Sequence, residues 1–330
     1  MNEDGTRGAR LRVCLLGATG TIGRATLQAL RAAGHEVTCL VRSPQAAATV
    51  AEFADGGAKI VDFANPGALA RAGFQGASFD AVISCMASRT GAPEDAWAID
   101  HRAHMNVLAA AAENGVRQFV LLSAICVQKP LLAFQHAKLA FEAALIESGM
   151  IYSIVRPTAF FKSLSGQIER VRRGKAFLLF GDGRLTACKP ISDADLAAYL
   201  AGCLTDPARW NRILPIGGPG PAITPREQGE FLFQLLQRPP QFRQMPVGLL
   251  DGIIGLLSVV GRVVPQAARK AELARIGRYY ATESMLVRDP ATGRYDALAT
   301  PSTGTETLFD FYRAVAAGTA IVDRGDHAVF

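Results

Sequence analysis

The chain has 330 residues, 49% hydrophobic and 19% charged, with a net charge of +6. That is enough for one large or two modest domains with a sizeable core. Six scattered cysteines (Cys14, Cys39, Cys85, Cys126, Cys188 and Cys203) form no C-x-x-C pair, which argues against an iron–sulfur or zinc site and reads as reduced thiols of a cytoplasmic protein. The positive charge suits an anionic ligand, but the basic residues are spread thinly. Even the run from Arg170 to Lys175 reads as a solvated helix end, so no nucleic-acid partner is expected.

Residues 1–10 have no apolar stretch for a signal or transit segment and are expected to be disordered. The run Val13-Cys-Leu-Leu then feeds into Gly17, Gly20 and Gly23, and a helical pattern follows through Leu27 and Leu30. A strand, a tight turn and a helix N-terminus hold a pyrophosphate with backbone N–H groups and the helix dipole. Gly17, Ala18, Thr19, Gly20, Thr21, Ile22 and Gly23 are therefore the expected dinucleotide loop.

Short apolar runs predict strands over 11–17, 36–41, 58–62, 79–84, 117–122 and 151–155, and helical spacing predicts helices over 21–33, 44–54, 95–114 and 135–148. This alternation gives an α/β fold, a doubly wound parallel sheet of the Rossmann type spanning residues 11–157. The second strand ends in Arg42-Ser43, where a carboxylate would select NAD. A guanidinium there grips a 2′-phosphate instead, so NADPH is the expected cofactor. Asp62-Phe63 closes the third strand near the adenine, and Ser84 closes the fourth beside the nicotinamide ribose.

After Pro157 the rhythm breaks, and residues 158–330 read as a helix-rich, substrate-facing region interwoven with the sheet domain. A helix is expected over 158–173, with strands near 176–180 and 186–190. Ser192 and Thr224 carry the capping patterns that start two further helices. Residues 247–261 are the most apolar segment, far short of the ~20 residues needed to span a bilayer. Two placements fit it: a buried helix, or one that touches a membrane surface or covers a greasy substrate.

The glycine spacing, the Asp62-Phe63 pair, Asn106 and Ser123 ending the fifth strand resemble the extended and atypical branches of the short-chain dehydrogenase/reductase superfamily. That resemblance makes Lys138 the lysine on the helix after the fifth strand, where it hydrogen-bonds the nicotinamide ribose. The catalytic tyrosine expected four residues earlier is Phe134. A phenyl ring delivers no proton, so carbonyl chemistry is in doubt. Hydride addition to a carbon–carbon double bond conjugated to a large π-system needs no strong acid and fits better.

The second half is more specific. Arg156-Pro157-Thr158-Ala-Phe160-Phe161-Lys162, Phe180-Gly-Asp-Gly-Arg184 through Lys189, Tyr279-Tyr280-Ala-Thr-Glu-Ser and Asp289-Pro-Ala-Thr-Gly-Arg resemble the NADPH-dependent, iron–sulfur-free family of divinyl chlorophyllide 8-vinyl reductases. The resemblance implies reduction of the C8 vinyl group of a magnesium chlorin or porphyrin in chlorophyll or bacteriochlorophyll synthesis. Pro157, Thr158 and Phe160 are then expected near the nicotinamide. Phe161, Lys162, Arg184, Lys189 and Tyr280 would meet the macrocycle. Lys162, Tyr279, Tyr280 and water all stand as proton sources, with Lys138 and Lys162 the two expected catalytic lysines. His104 and His136, both on predicted helices, read as structural residues, not ligands of the pigment's magnesium. Two other readings share the fold: a reductase of other conjugated double bonds, and a non-catalytic NADPH-sensing regulator or assembly factor. The implied location is cytoplasmic, with peripheral contact at a photosynthetic membrane as an option.

Overall fold

The computed structural model describes residues 10–322. Apart from Arg10, the N-terminal segment expected to be disordered lies outside them. The first half runs β1 (Arg12–Leu16), α1 (Thr21–Ala32), β2 (Glu36–Val41), α2 (Pro44–Val50), β3 (Ala58–Ile60), α3 (Pro66–Leu69), β4 (Ala81–Ser84), α4 (Pro93–Ala96), α5 (His104–Glu113), β5 (Gln118–Leu122), α6 (Ala133–Glu147) and β6 (Ile151–Pro157). The second half adds α7 (Phe161–Leu164), α8 (Ile168–Arg172), β7 (Phe177–Phe180), α9 (Asp193–Gly202), β8 (Arg212–Ile216), α10 (Pro225–Leu235), β9 (Phe242–Met245), α11 (Val247–Val260), α12 (Pro265–Thr282), β10 (Val287–Arg288), β11 (Tyr295–Asp296) and α13 (Leu308–Ala316).

Seven strands form one sheet in the order β3-β2-β1-β4-β5-β6-β8, parallel throughout. A parallel sheet is covered on both faces, so its strands are apolar at nearly every position. Alternate residues then serve opposite layers: Val13 and Leu15 pack on one side, Cys14 and Leu16 on the other. A third core lies in the second half, where Phe161, Val171, Phe177, Leu179, Tyr279 and Tyr312 meet. The strand order reverses between β1 and β4, which opens a crevice outside the carboxyl ends of the strands.

Several elements depart from the sequence reading. The expected helix over 158–173 is two short ones, α7 and α8, separated at Ser165-Gly166. There the Ser165 hydroxyl bonds back to the Phe161 carbonyl at 2.6 Å, a common cause of a break. The expected strand at 186–190 reduces to isolated bridges of Cys188 with Ile223 and Met285. β8 was not expected, because Pro215 interrupts its run. It is tolerated because β8 is the edge of the sheet. The long helix over 95–114 carries a π-helical stretch, Trp97–Ala103, at its centre.

The apolar segment 247–261 is helical, as α11, but no residue of the helix is buried. The buried-helix placement is thus overturned. α11 packs mainly on α12 as a hairpin, and much of its apolar surface is exposed among the described residues. Among the described residues no helix is long and apolar enough to cross a membrane.

Candidate functional site

The three glycines after β1 differ in what confines them. A Cβ on Gly17, whose φ is +74°, would come within 2.6 Å of the Cys85 backbone, and one on Gly23 within 2.0 Å of the Gly17 carbonyl oxygen. Protein packing alone therefore requires both. A Cβ on Gly20 would meet only the Gly17 oxygen, at 3.5 Å. Its open side faces the place where a diphosphate would lie. Gly20 is also the N-cap of α1, which has no side-chain cap and no acidic residue in its first turn. By contrast, α2, α9 and α10 are capped by Ser43, Ser192 and Thr224. An uncapped helix N-terminus behind a glycine loop is built for an external anion, so these residues fit the dinucleotide.

Arg42 is exposed at the carboxyl end of β2. Beside it the Ser43 hydroxyl accepts the Ala46 N–H at 3.2 Å. Asp62 is exposed and accepts the Ala64 N–H at 2.9 Å. Phe63 is a core residue, and its carbonyl accepts the Asn106 side-chain amide at 2.8 Å. Ala18 and Ile22 are likewise core residues of the loop.

Ser84 does not face the cleft as expected. It is fully buried, and its hydroxyl lies 2.7 Å from His104 Nε2 and accepts the Met86 N–H at 3.3 Å. His104 Nδ1 lies 2.8 Å from the Ile99 carbonyl, so Nδ1 donates and Nε2 accepts from Ser84. Burial pushes the imidazole down to about 4, which keeps it neutral. His104 is thus a structural clamp between the π-helical stretch and β4, and His136 points outward, exposed on α6.

Lys138 on α6 is half-buried. Its ammonium donates to Asp100 Oδ1 at 3.0 Å, and the same oxygen accepts the Ser88 N–H at 3.3 Å. Asp100 is buried, its Oδ2 has no partner, and it lies in the π-helical stretch. Sequence reading missed it. The available signal was a carboxylate in register with the apolar face of Ala103, Val107 and Ala111. A second missed group is Glu142, also buried, which takes the Ser123 hydroxyl and the Arg156 guanidinium. Ser123 is therefore held beneath the cleft by a buried ion pair.

The expected substrate residues scatter. Phe160 is half-buried and bridges to Ile191, whereas Phe161 is buried against Phe311, 5.6 Å between rings. Phe161 is core, not wall. Lys162 turns back to the dinucleotide loop and donates to the Thr21 hydroxyl. Lys189 donates to the Thr300 carbonyl at 2.9 Å and the Ser302 hydroxyl at 3.0 Å, which ties down the segment at 300–302. Its backbone carbonyl takes the Thr158 hydroxyl just after Pro157, which ends β6. Arg184 is exposed beside a turn closed by Asp182. Tyr279 donates toward the carbonyls of Cys126 and Lys129, at 2.8 and 3.0 Å, and burial raises its pKa. Tyr280 keeps an accessible ring, with its hydroxyl 3.9 Å from Cys126 Sγ. Phe134 packs beside Gly91, opposite Ile276 of α12.

Fold, switch-point crevice and uncapped glycine loop together define an NAD(P)H-binding protein, and a family model described as NAD(P)H-binding matches residues 17–207. A solved NADPH-dependent quinone oxidoreductase from Escherichia coli superposes with a TM-score of 0.67 at 17% identity, covering 92% of this chain and 99% of that one. That similarity concerns the fold. Sequence relatives are narrower. The divinyl chlorophyllide a 8-vinyl-reductase of Oryza sativa subsp. indica is 46% identical over 331 residues, 96% of this chain and 82% of its own. The protein of that name from Cucumis sativus is 54% identical over 257 residues, 76% of this chain and 61% of its own length. The chain belongs to the divinyl chlorophyllide a 8-vinyl-reductase family.

Proposed function

We propose that the cleft reduces the C8 vinyl group of divinyl chlorophyllide, or its protochlorophyllide counterpart, to ethyl with NADPH. The observation that carries this reading is an alignment at 46% identity that runs through both halves of the chain. The substrate-facing half is thus included, not only the dinucleotide half.

NADPH, when bound, supplies the hydride. The first-turn N–H groups of α1 and the Gly20 face hold its diphosphate, with Lys162 adding a positive charge from across the loop. Exposed Arg42 at the end of β2 takes the 2′-phosphate, which selects NADPH over NADH. Lys138, braced by Asp100, donates to the nicotinamide ribose. Residues from about 158 onward close over the pigment, and the rim side chains Phe160, Arg184 and Tyr280 are those open to it. Phe134 offers no acid. The conjugated macrocycle can spread the incoming charge over many atoms, so the protein's task is orientation and exclusion of water. Tyr279 has its proton committed to backbone carbonyls, which leaves Lys162, Tyr280 and water as proton sources. The free cysteines support a cytoplasmic location.

The regulator or assembly-factor reading is not favoured, since both close relatives above are named as reductases. The test is direct. Purified protein is incubated with divinyl chlorophyllide and NADPH, and the pigments are separated by chromatography. Conversion to the 8-ethyl pigment is expected. Bound coenzyme with unchanged pigment would overturn the reading.

A further inference from the structure

The α11–α12 hairpin carries a surface that nothing in the fold uses. Leu249, Ile253, Leu256 and Val260 recur at three- and four-residue spacing on α11, Val263 and Val264 continue the apolar patch into the turn, and all are exposed. Leu256 is 68% and Val263 83% accessible. The inner face of α11 is clipped to α12 by the Asp251–Arg278 ion pair and by Arg275 donating to the Ser258 hydroxyl at 2.8 Å. The outer stripe is therefore fixed in orientation and, among the described residues, left exposed. Exposed apolar patches of this kind mark interaction sites.

Charge indicates the partner. From Val247 to Thr282 there are five cations (Arg262, Arg269, Lys270, Arg275 and Arg278) and two carboxylates (Asp251 and Glu272). Both carboxylates are consumed, by Arg278 and Arg275. Arg262 is exposed in the turn between the helices and Arg269 and Lys270 near the start of α12, and none of them pairs with a carboxylate among the described residues. An apolar stripe ending in uncompensated cations matches an anionic bilayer surface, with the side chains in the acyl boundary and the cations at the headgroups. A second copy packed with its α11 parallel to this one would bring the same three cations against each other, and self-association is read out separately in the test below. At about 21 Å, a helix of this length can lie in the interface but not cross it.

We propose that the outer face of α11 docks the protein on anionic lipid membranes. α12 places the cleft next to that face: Ile276 reaches the Gly91–Phe134 contact, and Tyr279 is bonded to the loop after β5. Docking would thus hold the cleft close to the lipid surface, whichever flat apolar substrate it takes.

The test is flotation of the full chain with vesicles of phosphatidylcholine alone and with 30% phosphatidylglycerol, at low and high salt, alongside its mass in solution. Binding is expected with phosphatidylglycerol, weakened by salt and lost in Leu256→Asp. Arg262→Glu and Lys270→Glu should each weaken it by about fivefold or more. Unfolding of the variants is controlled by circular dichroism, with Leu256→Ser as a milder substitute. Absence of flotation for the native chain, equal flotation on both vesicle types, or a dimer that Leu256→Asp dissolves without any lipid effect would overturn the proposal.

Discussion

At the residue scale, coenzyme choice and pH behaviour rest on a few charged and titratable groups in positions the fold dictates. Arg42 stands where the second strand ends, without a carboxylate partner among the described residues. A charge-assisted contact to a phosphate is worth ~1.5–3 kcal/mol. Arg42→Glu should therefore weaken NADPH about 10- to 100-fold while changing NADH little, measured by titrating both coenzymes; equal losses would remove Arg42 from the phosphate. His104 yields a pH prediction. Unfolded, it takes a proton below about 6.5, whereas the folded chain resists until about 4. The unfolded state thus binds more protons in that window, so stability is full above it and falls as the pH drops through it. The loss is about 3 kcal/mol, and thermal melts from pH 7 to pH 4 should show it, with a flatter profile in His104→Gln. An unchanged slope in that variant would place the effect elsewhere. The glycine loop and the exposed place of Arg42 at the end of β2 were legible because each has a local, positional reason. Asp100, Glu142 and the burial of Ser84 were not, since each depends on which elements pack together: Ser123 meets Glu142 only when β5 and α6 are in contact.

At the element scale, the loop between β1 and α1 separates packing from binding. Gly20 has φ −75° and open space at its Cβ position, so Gly20→Ala should fold with a stability change below about 1 kcal/mol yet lose coenzyme affinity. Gly23→Ala places a methyl group 2.0 Å from the Gly17 oxygen and should destabilise the fold itself. Melting curves and coenzyme titrations of both variants test this contrast; equal melting points would deny it. The strands of the first half were readable because parallel strands are continuous apolar runs with glycine or polar boundaries. β8 escaped because edge strands tolerate a proline, and the 158–173 helix was overextended because Ser165-Gly166 breaks a pattern that apolar spacing alone carries through. α11 shows the opposite error. High hydropathy reads as burial, but no residue of this helix is buried.

At the scale of the whole molecule, the first half supplies a doubly wound sheet whose switch point receives a dinucleotide. The second half returns to that sheet through β8 and builds its own aromatic core over the cleft. The position where the superfamily resemblance expects a tyrosine holds Phe134, beside Gly91 and Ile276, so no phenol acid stands there. In the proposed reaction the cleft delivers a hydride directly from the coenzyme to the pigment's vinyl group. Turnover of divinyl chlorophyllide with NADPH dideuterated at C4 of the nicotinamide, followed by mass spectrometry of the product, tests it most directly. One deuterium in the new 8-ethyl group is the predicted result; an 8-ethyl product without deuterium, or no product while the coenzyme is bound, would contradict it.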